Sequence, residues 1–329
     1  MKKFLAFLLA AMLLLSVGAV AVAEEETTKP SESVAMTFTF SKTYQTTKGA
    51  TPATIPNEEL SFTVTPAHGN PDTTTITISD TTLSTATGNI TVNVPSYSKV
   101  GKWNYTVKEN AGTAQGVTYS NTEFGVQVLV TYPEDDSNKL VAQTVFTTNK
   151  DQSTEKVEGI VNTYDLGSLT VTKKVDGNLA SPTQKFDFTV TFTSEKEVKS
   201  TISGLNDVWM KGDDGKYTAT QPFSLAHGET QTFSNIPVGV TYTVVEDTKH
   251  AETDTNGSDT SKGYTLTYKD SKNCGTIAAD TTDAIEATNT KGTTVDTGIT
   301  TDSLPYVMLL GFVILAGAAL IIKRRVAHN

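Results

Sequence analysis

The sequence predicts an all-β protein made of two tandem β-sandwich domains, and three observations carry that expectation. Short stretches alternate apolar and polar residues with period two, as a half-buried strand requires. Met36-Thr-Phe-Thr-Phe40, Leu60-Ser-Phe-Thr-Val64 and Phe186-Asp-Phe-Thr-Val-Thr-Phe192 are examples. Helical periodicity is nearly absent from the middle of the chain, while Gly, Pro, Asn and Asp clusters punctuate it at strand-length spacing. The strand pattern then occurs twice, which sets the domain count.

The two copies span residues 34–164 and 165–291. Each opens on a strand carrying a lysine, Phe38-Thr-Phe-Ser-Lys-Thr-Tyr44 in the first and Leu169-Thr-Val-Thr-Lys-Lys-Val175 in the second. A Phe-Thr-Val-Thr strand follows, starting at Phe62 and at Phe188. Next comes a glycine leading into a Tyr-x-Val-x-Glu strand, Gly101 to Glu109 and Gly239 to Glu246. Each copy closes on Asn-Thr, in Ile160-Val-Asn-Thr-Tyr164 and in Ile285-Glu-Ala-Thr-Asn-Thr290. The join at Asp165-Leu-Gly-Ser168 is short, so the domains are expected to stack end to end.

Both ends of the chain deal with a membrane. Lys2 and Lys3 precede an apolar run from Phe4 to Val22, and Ala21-Val22-Ala23 supplies a small-x-small cleavage pattern. Residues 1–23 are expected to be a secretory signal peptide and 24–33 a mature N-terminal tail. After a spacer at 292–303, a second apolar run from Leu304 to Ile322 is long enough to cross a bilayer as a helix. Lys323-Arg324-Arg325, within a basic tail at 323–329, mark its cytoplasmic end. The part between is expected to be exported.

Composition excludes several functions. The formal net charge of -10 argues against nucleic-acid binding, which needs a basic footprint. Cys274 is the only cysteine, so no intrachain disulfide can staple either domain. His68, His227, His250 and His328 show no metal-ligand spacing, and Asp254-Thr-Asn-Gly-Ser-Asp259 lacks the late glutamate of a calcium loop. With no phosphate loop and no nucleophile elbow, neither a cofactor nor an external substrate is expected.

Strand parity singles out six polar residues. Alternate side chains face the same side of a strand. Lys42 therefore shares a face with Phe38, Phe40 and Tyr44, Glu109 with Trp103, Tyr105 and Val107, and Asn162 with Ile160 and Tyr164. In the second copy Lys173 shares one with Leu169, Val171 and Val175, Glu246 with Tyr242 and Val244, and Asn289 with Ile285 and Ala287. For one such residue, a position near a strand end with its polar tip in water would suffice. The same lysine, glutamate and asparagine in the same order in both copies point instead to chemistry. A desolvated lysine loses its proton readily and a desolvated glutamate keeps one. A neutral amine could attack the asparagine amide carbon, with the acid shuttling protons to departing ammonia. The product is an intramolecular isopeptide bond formed once, without turnover. The lysine and asparagine are separated by 162 − 42 = 120 and 289 − 173 = 116 positions.

The pattern resembles the isopeptide-linked Ig-like domains of Gram-positive pilins and surface adhesins. Ile236-Pro-Val-Gly-Val-Thr-Tyr-Thr-Val-Val-Glu246 is similar to their L-P-x-G-x-x-Y-x-V-x-E motif, with Ile for Leu. The first copy departs from it, since Pro95 lies six residues before Gly101. Over nearly all of the mature chain the resemblance is to the streptococcal T-antigen type of two-domain major pilin. It implies Ig-like sandwiches, the second of the CnaB type, with crosslinks Lys42–Asn162 and Lys173–Asn289 assisted by Glu109 and Glu246. Thr294-Val-Asp-Thr-Gly298 then looks like a cell-wall sorting signal, which a sortase would cut between Thr297 and Gly298. Thr297 would pass to a lysine of the next subunit, with Lys156 in the expected place and Lys150 the runner-up. The implied partners are a sortase, neighbouring pilin subunits and peptidoglycan. The implied role is the shaft of a wall-anchored pilus, and the alternative is a monomeric adhesin or minor pilin that uses both domains as a stalk toward a host surface ligand.

Overall fold

A computed structural model describes residues 33–70, 74–121, 123–133, 139–147, 159–252 and 260–292. The signal peptide and membrane segment expected from the sequence, Thr297, Gly298, Lys156 and Lys150 lie outside the described residues. Among the described residues no helix is long and apolar enough to cross a membrane.

The first domain holds β1 (Val34–Gln45), β2 (Leu60–Pro66), β3 (Ile76–Thr81), β4 (Thr87–Tyr97), β5 (Gly101–Asn110), β6 (Val117–Thr118), β7 (Glu123–Thr131), β8 (Val141–Thr147) and β9 (Gly159–Tyr164). They form a sheet ordered β4-β1-β9-β6 and a second ordered β3-β2-β5-β7-β8. The second domain holds β10 (Leu166–Asp176), β11 (Phe186–Ser194), β12 (Met210–Lys211), β13 (Tyr217–Leu225), β14 (Thr230–Pro237), β15 (Thr241–Glu246), β16 (Thr265–Tyr268), β17 (Cys274–Thr276) and β18 (Thr282–Thr290). Its sheets run β14-β10-β18-β16 and β12-β13-β11-β15-β17.

Each domain encloses its own core between two sheets, because aromatic and β-branched side chains on the inner parity pack away from water. Phe38, Phe40, Phe62, Val64, Tyr105 and Val107 are buried in the first, and Leu169, Val171, Phe188, Phe192, Tyr242 and Val244 in the second. Threonines take much of the outer parity, where cross-strand hydroxyls meet, as in Thr172–Thr230 at 2.9 Å.

The first and last strands of each domain are neighbours and run parallel. β1 pairs with β9, placing Lys42 opposite Ile160 and Tyr44 opposite Asn162. β10 pairs with β18, placing Lys173 opposite Ala287 and Val175 opposite Asn289. The only described residue between β9 and β10 is Asp165, so the chain passes from one domain to the next almost without leaving a strand. Hydrogen bonds tie the two together at this end. Gln115 Nε2 donates to the Val238 carbonyl at 2.7 Å, Tyr164 Oη to Ser200 Oγ at 2.7 Å, and the Asn57 amide to the Lys199 carbonyl at 2.8 Å.

Candidate functional site

Each domain carries one lysine, one glutamate and one asparagine in its core, all essentially without solvent exposure. The lysine and asparagine come from the parallel pair in one sheet, and the glutamate reaches across from the other. Glu109 on β5 stands opposite Phe62, and Glu246 on β15 opposite Phe188, the phenylalanine that opens each Phe-Thr-Val-Thr segment. All six residues selected by parity are therefore brought together, three in each domain.

In the first domain Lys42 Nζ lies 3.0 Å from Glu109 Oε2, and Asn162 Nδ2 donates to Glu109 Oε1 at 2.8 Å. In the second, Lys173 Nζ lies 2.8 Å from Glu246 Oε2, and Asn289 Nδ2 donates to Glu246 Oε1 at 2.5 Å. Aromatic rings wall in the amines: Lys173 Nζ is 4.4 Å from the Phe186 ring centre, and Lys42 Nζ is 5.4 Å from that of Tyr44. Lys174, one residue further along β10, points outward and pairs with Glu286 at the surface.

Burial dominates the electrostatics. It pulls the Lys42 ammonium down to about 8, against the opposing pull of Glu109, and it lowers Lys173 in the same way. It also raises Glu109 despite Lys42 and Asn162 beside it. A buried ion pair is costly to keep dry, so the neutral amine beside a protonated acid becomes an accessible state. Both glutamates face the amide nitrogen of their asparagine, the group that would leave if an amine attacked the amide carbon.

The clusters differ at the amide oxygen. Asn162 Oδ1 accepts from the backbone N–H of Ser120 at 2.9 Å, whereas Asn289 Oδ1 is buried without a hydrogen-bond donor among the described residues. The first domain also holds a second buried carboxylate, Glu58, which accepts from Tyr44 Oη at 2.5 Å and from Tyr119 Oη. Sequence reasoning passed over Glu58 because it precedes β2 in an acidic loop. Extending the parity of Leu60, Phe62 and Val64 back by one step would have found it, since residues 56, 58 and 60 are all buried.

Among the described residues no group of three or more His, Cys, Asp or Glu could hold a metal ion, and Cys274 is exposed and free.

Residues 27–165 match the family model described as the Spy0128-like isopeptide containing domain, and residues 167–291 match a domain family of unknown function (DUF7601). A pilin of Streptococcus pyogenes serotype M1 is 29% identical over 238 residues, which cover 70% of this chain and 69% of that relative. Among solved structures, a major pilin from Streptococcus pyogenes matches with a TM-score of 0.47 and 24% identity, over 78% of this chain and 99% of that one. Another Streptococcus pyogenes major pilin matches with a TM-score of 0.46 and 22% identity, over 78% and 98%. The chain is thus similar to the streptococcal T-antigen-type pilins, and over residues 27–165 it is similar to the Spy0128-like isopeptide containing domain.

Proposed function

We propose that this chain is a structural subunit of a wall-anchored pilus whose two domains each close an intramolecular Lys–Asn isopeptide bond. One observation carries it: the buried lysine, glutamate and asparagine recur at the same register in both domains. In the first domain Lys42 is the nucleophile, Asn162 the electrophile and Glu109 the proton shuttle. Lys173, Asn289 and Glu246 take these roles in the second.

The amine attacks as the neutral form, and the carbon–nitrogen bond of the amide breaks. Ammonia leaves with a proton relayed through the glutamate. Reaction removes a buried ammonium and leaves the glutamate neutral beside the new amide, which relieves the cost of the dry ion pair. Each bond closes a loop of 120 or 116 positions. In the loop-entropy account used for disulfides, that removes on the order of 4–5 kcal/mol of unfolded-state freedom. It supplies the staple that a chain with one cysteine lacks.

Polymerisation follows from the sorting pattern. A sortase would cut between Thr297 and Gly298 and transfer Thr297 to a lysine of a neighbouring subunit, Lys156 being the candidate. The subunits then form a covalent shaft, and the last one is passed to peptidoglycan.

The intact mass of the folded mature domains, before any subunit is joined to another, tests the crosslinks. It should fall short of the calculated value by one ammonia per domain, and Glu109→Ala or Glu246→Ala should each restore one. Full calculated mass in the unmutated protein would refute the crosslinks. An immunoblot of wall extracts tests the assembly, where a high-mass ladder supports a shaft and a single monomeric band sinks it.

A further inference from the structure

We infer that the backbone N–H of Ser120 is an oxyanion donor for bond formation in the first domain, held on target by a Tyr44–Glu58–Tyr119 clamp that the second domain does not have. The inference rests on the isopeptide reading above and adds to it a catalytic group and two positioning residues, Glu58 and Tyr119.

When Lys42 Nζ bonds to Asn162 Cγ, the amide oxygen takes up negative charge in the tetrahedral intermediate. The carbonyl then reforms as the bond from Cγ to Nδ2 breaks. The nitrogen departs as ammonia, its third hydrogen coming from the lysine amine through Glu109. Glu109 faces Nδ2, so it serves the leaving group. The oxygen needs a separate donor, and Ser120 N–H sits 2.9 Å from it before reaction. A fixed donor at the place where charge develops, in a site closed to water, is the arrangement that stabilises such intermediates most.

The strand beside the asparagine explains why only the first domain has this donor. β6 is two residues long and pairs Val117 with Tyr164 and Thr118 with Thr163. The chain then peels away from β9, and the amide of Ser120 is free to reach the Asn162 side chain. In the second domain β16 stays paired across the same place, with Leu266 opposite Asn289 and Tyr268 opposite Ala287. Among the described residues no main-chain amide is released toward the core there, and Asn289 Oδ1 is left without a donor.

The clamp fixes the departing segment. Tyr119, next to Ser120, donates its hydroxyl to Glu58 and accepts from the Ala114 amide at 3.1 Å. Tyr44, two residues beyond Lys42 on β1, donates to the other Glu58 oxygen. Gly112 closes over the clamp so tightly that a Cβ there would come within 2.6 Å of both Glu58 Oε2 and Tyr119 Oη. Glu58 thus links the lysine strand to the residue preceding the oxyanion donor.

The test follows bond closure in the full chain synthesised cell-free in detergent. Aliquots are quenched in acid denaturant, and crosslinked peptides from each domain are quantified by mass. In a Trp209→Phe background, Trp103 fluorescence reports that the first domain is folded at each time, and NMR reports hydrogen-exchange protection of the Ser120 amide. In Glu58→Gln and in Tyr119→Phe, the Lys42–Asn162 bond should close roughly tenfold more slowly in folded protein. That is less than the roughly 100-fold cost of deleting an oxyanion donor, because the N–H is loosened and not removed. The Lys173–Asn289 bond should keep its rate, and the Ser120 amide should lose protection while β9 keeps its own. An unchanged rate for the first bond in either folded variant overturns the inference, as does slowing with Ser120 still protected. A wild-type chain that loses no ammonia in either domain overturns the isopeptide reading itself, a result distinct from these.

Discussion

Asn162 stands on β9 two residues beyond Ile160, the residue that faces Lys42 across the parallel β1–β9 ladder. Asn289 keeps the same offset from Ala287, which faces Lys173. Residues two apart share a face of the sheet, so the offset sets a long amine diagonally against a short amide with roughly 6–7 Å of strand between their Cα positions. Alignment of each lysine with its asparagine is thus a property of the ladder, and anything that moves the last strand moves the amide that the proposed reaction would attack.

Gly159 tests that dependence. It opens β9 opposite Ser41, and a Cβ there would overlap the Ser41 carbonyl oxygen and hydroxyl. Gly159→Ala should push β9 off β1 and cost the first domain about 3 kcal/mol, the upper end for overpacking. Chemical denaturation should show the loss, peptide mass should show Lys42 and Asn162 partly unjoined, and the second domain should be unchanged.

The pH dependence of bond closure follows from proton counting. The reactive state, neutral Lys42 with protonated Glu109, holds one proton, as does the ion pair, so the two interconvert without exchange with solvent. Closure should therefore be level while the pair holds that single proton. As pH rises through about 8, where burial has placed Lys42, the pair loses it and the rate should fall about tenfold per unit. On the acid side a second proton arrives and blocks the amine, at a pH above the ordinary carboxylate range because Glu109 is raised. Stopped aliquots of newly made chain, quantified by mass across pH, check both limbs. A rate that climbs steadily above pH 8 would contradict this scheme.

Side-chain parity on β10 makes a paired prediction. Lys173→Met should abolish the second bond, and the loss of its closed loop should lower stability by about 4–5 kcal/mol in the loop-entropy model. Lys174→Met should leave the ammonia loss intact and stability within about 0.5 kcal/mol, since Lys174 is an exposed partner of Glu286. Intact mass and thermal melts of the two variants distinguish them.

Gln115 governs how the domains meet. Its side chain donates to the Val238 carbonyl and accepts from Ser194 Oγ at 3.1 Å, so it spans the junction. Gln115→Ala should leave both domain cores and both bonds unchanged. It should broaden the angle between domains, which small-angle scattering would read as a larger spread of overall dimensions, at a cost of about 1–2 kcal/mol in junction stability.

Much of this was legible in the sequence, for a physical reason. Period-two alternation reports which side chains face inward, so Lys42, Glu109 and Asn162 stood out as polar residues on apolar faces, and the second copy repeated them. Lys173 separated from Lys174 on the same ground. The parallel pairing of first and last strands was not legible, because alternation carries no direction and no partner. Glu58 lies one step before the strand whose inward parity it continues, and its role emerges only when Tyr44 and Tyr119, distant in sequence, converge on it. The Ser120 amide could not be read at all, since every residue but proline has one and only the fold decides which is free. Beyond the positions the two domains share, β8 extends one five-stranded sheet past β7 and β12 extends the other past β13.

The near-continuous passage from β9 into β10 has a consequence for length. With both bonds closed, the chain between Asn162 and Lys173 is the only stretch of the two-domain body outside a closed loop and between them, residues 163–172. Those residues already run as strand on both sides of Asp165, at roughly 3.3 Å each, so pulling finds almost no slack to pay out. A fibre of such units would transmit a tug from its tip to the cell with little delay or give, acting as an inextensible tether where a chain of unstapled domains would unravel and damp it.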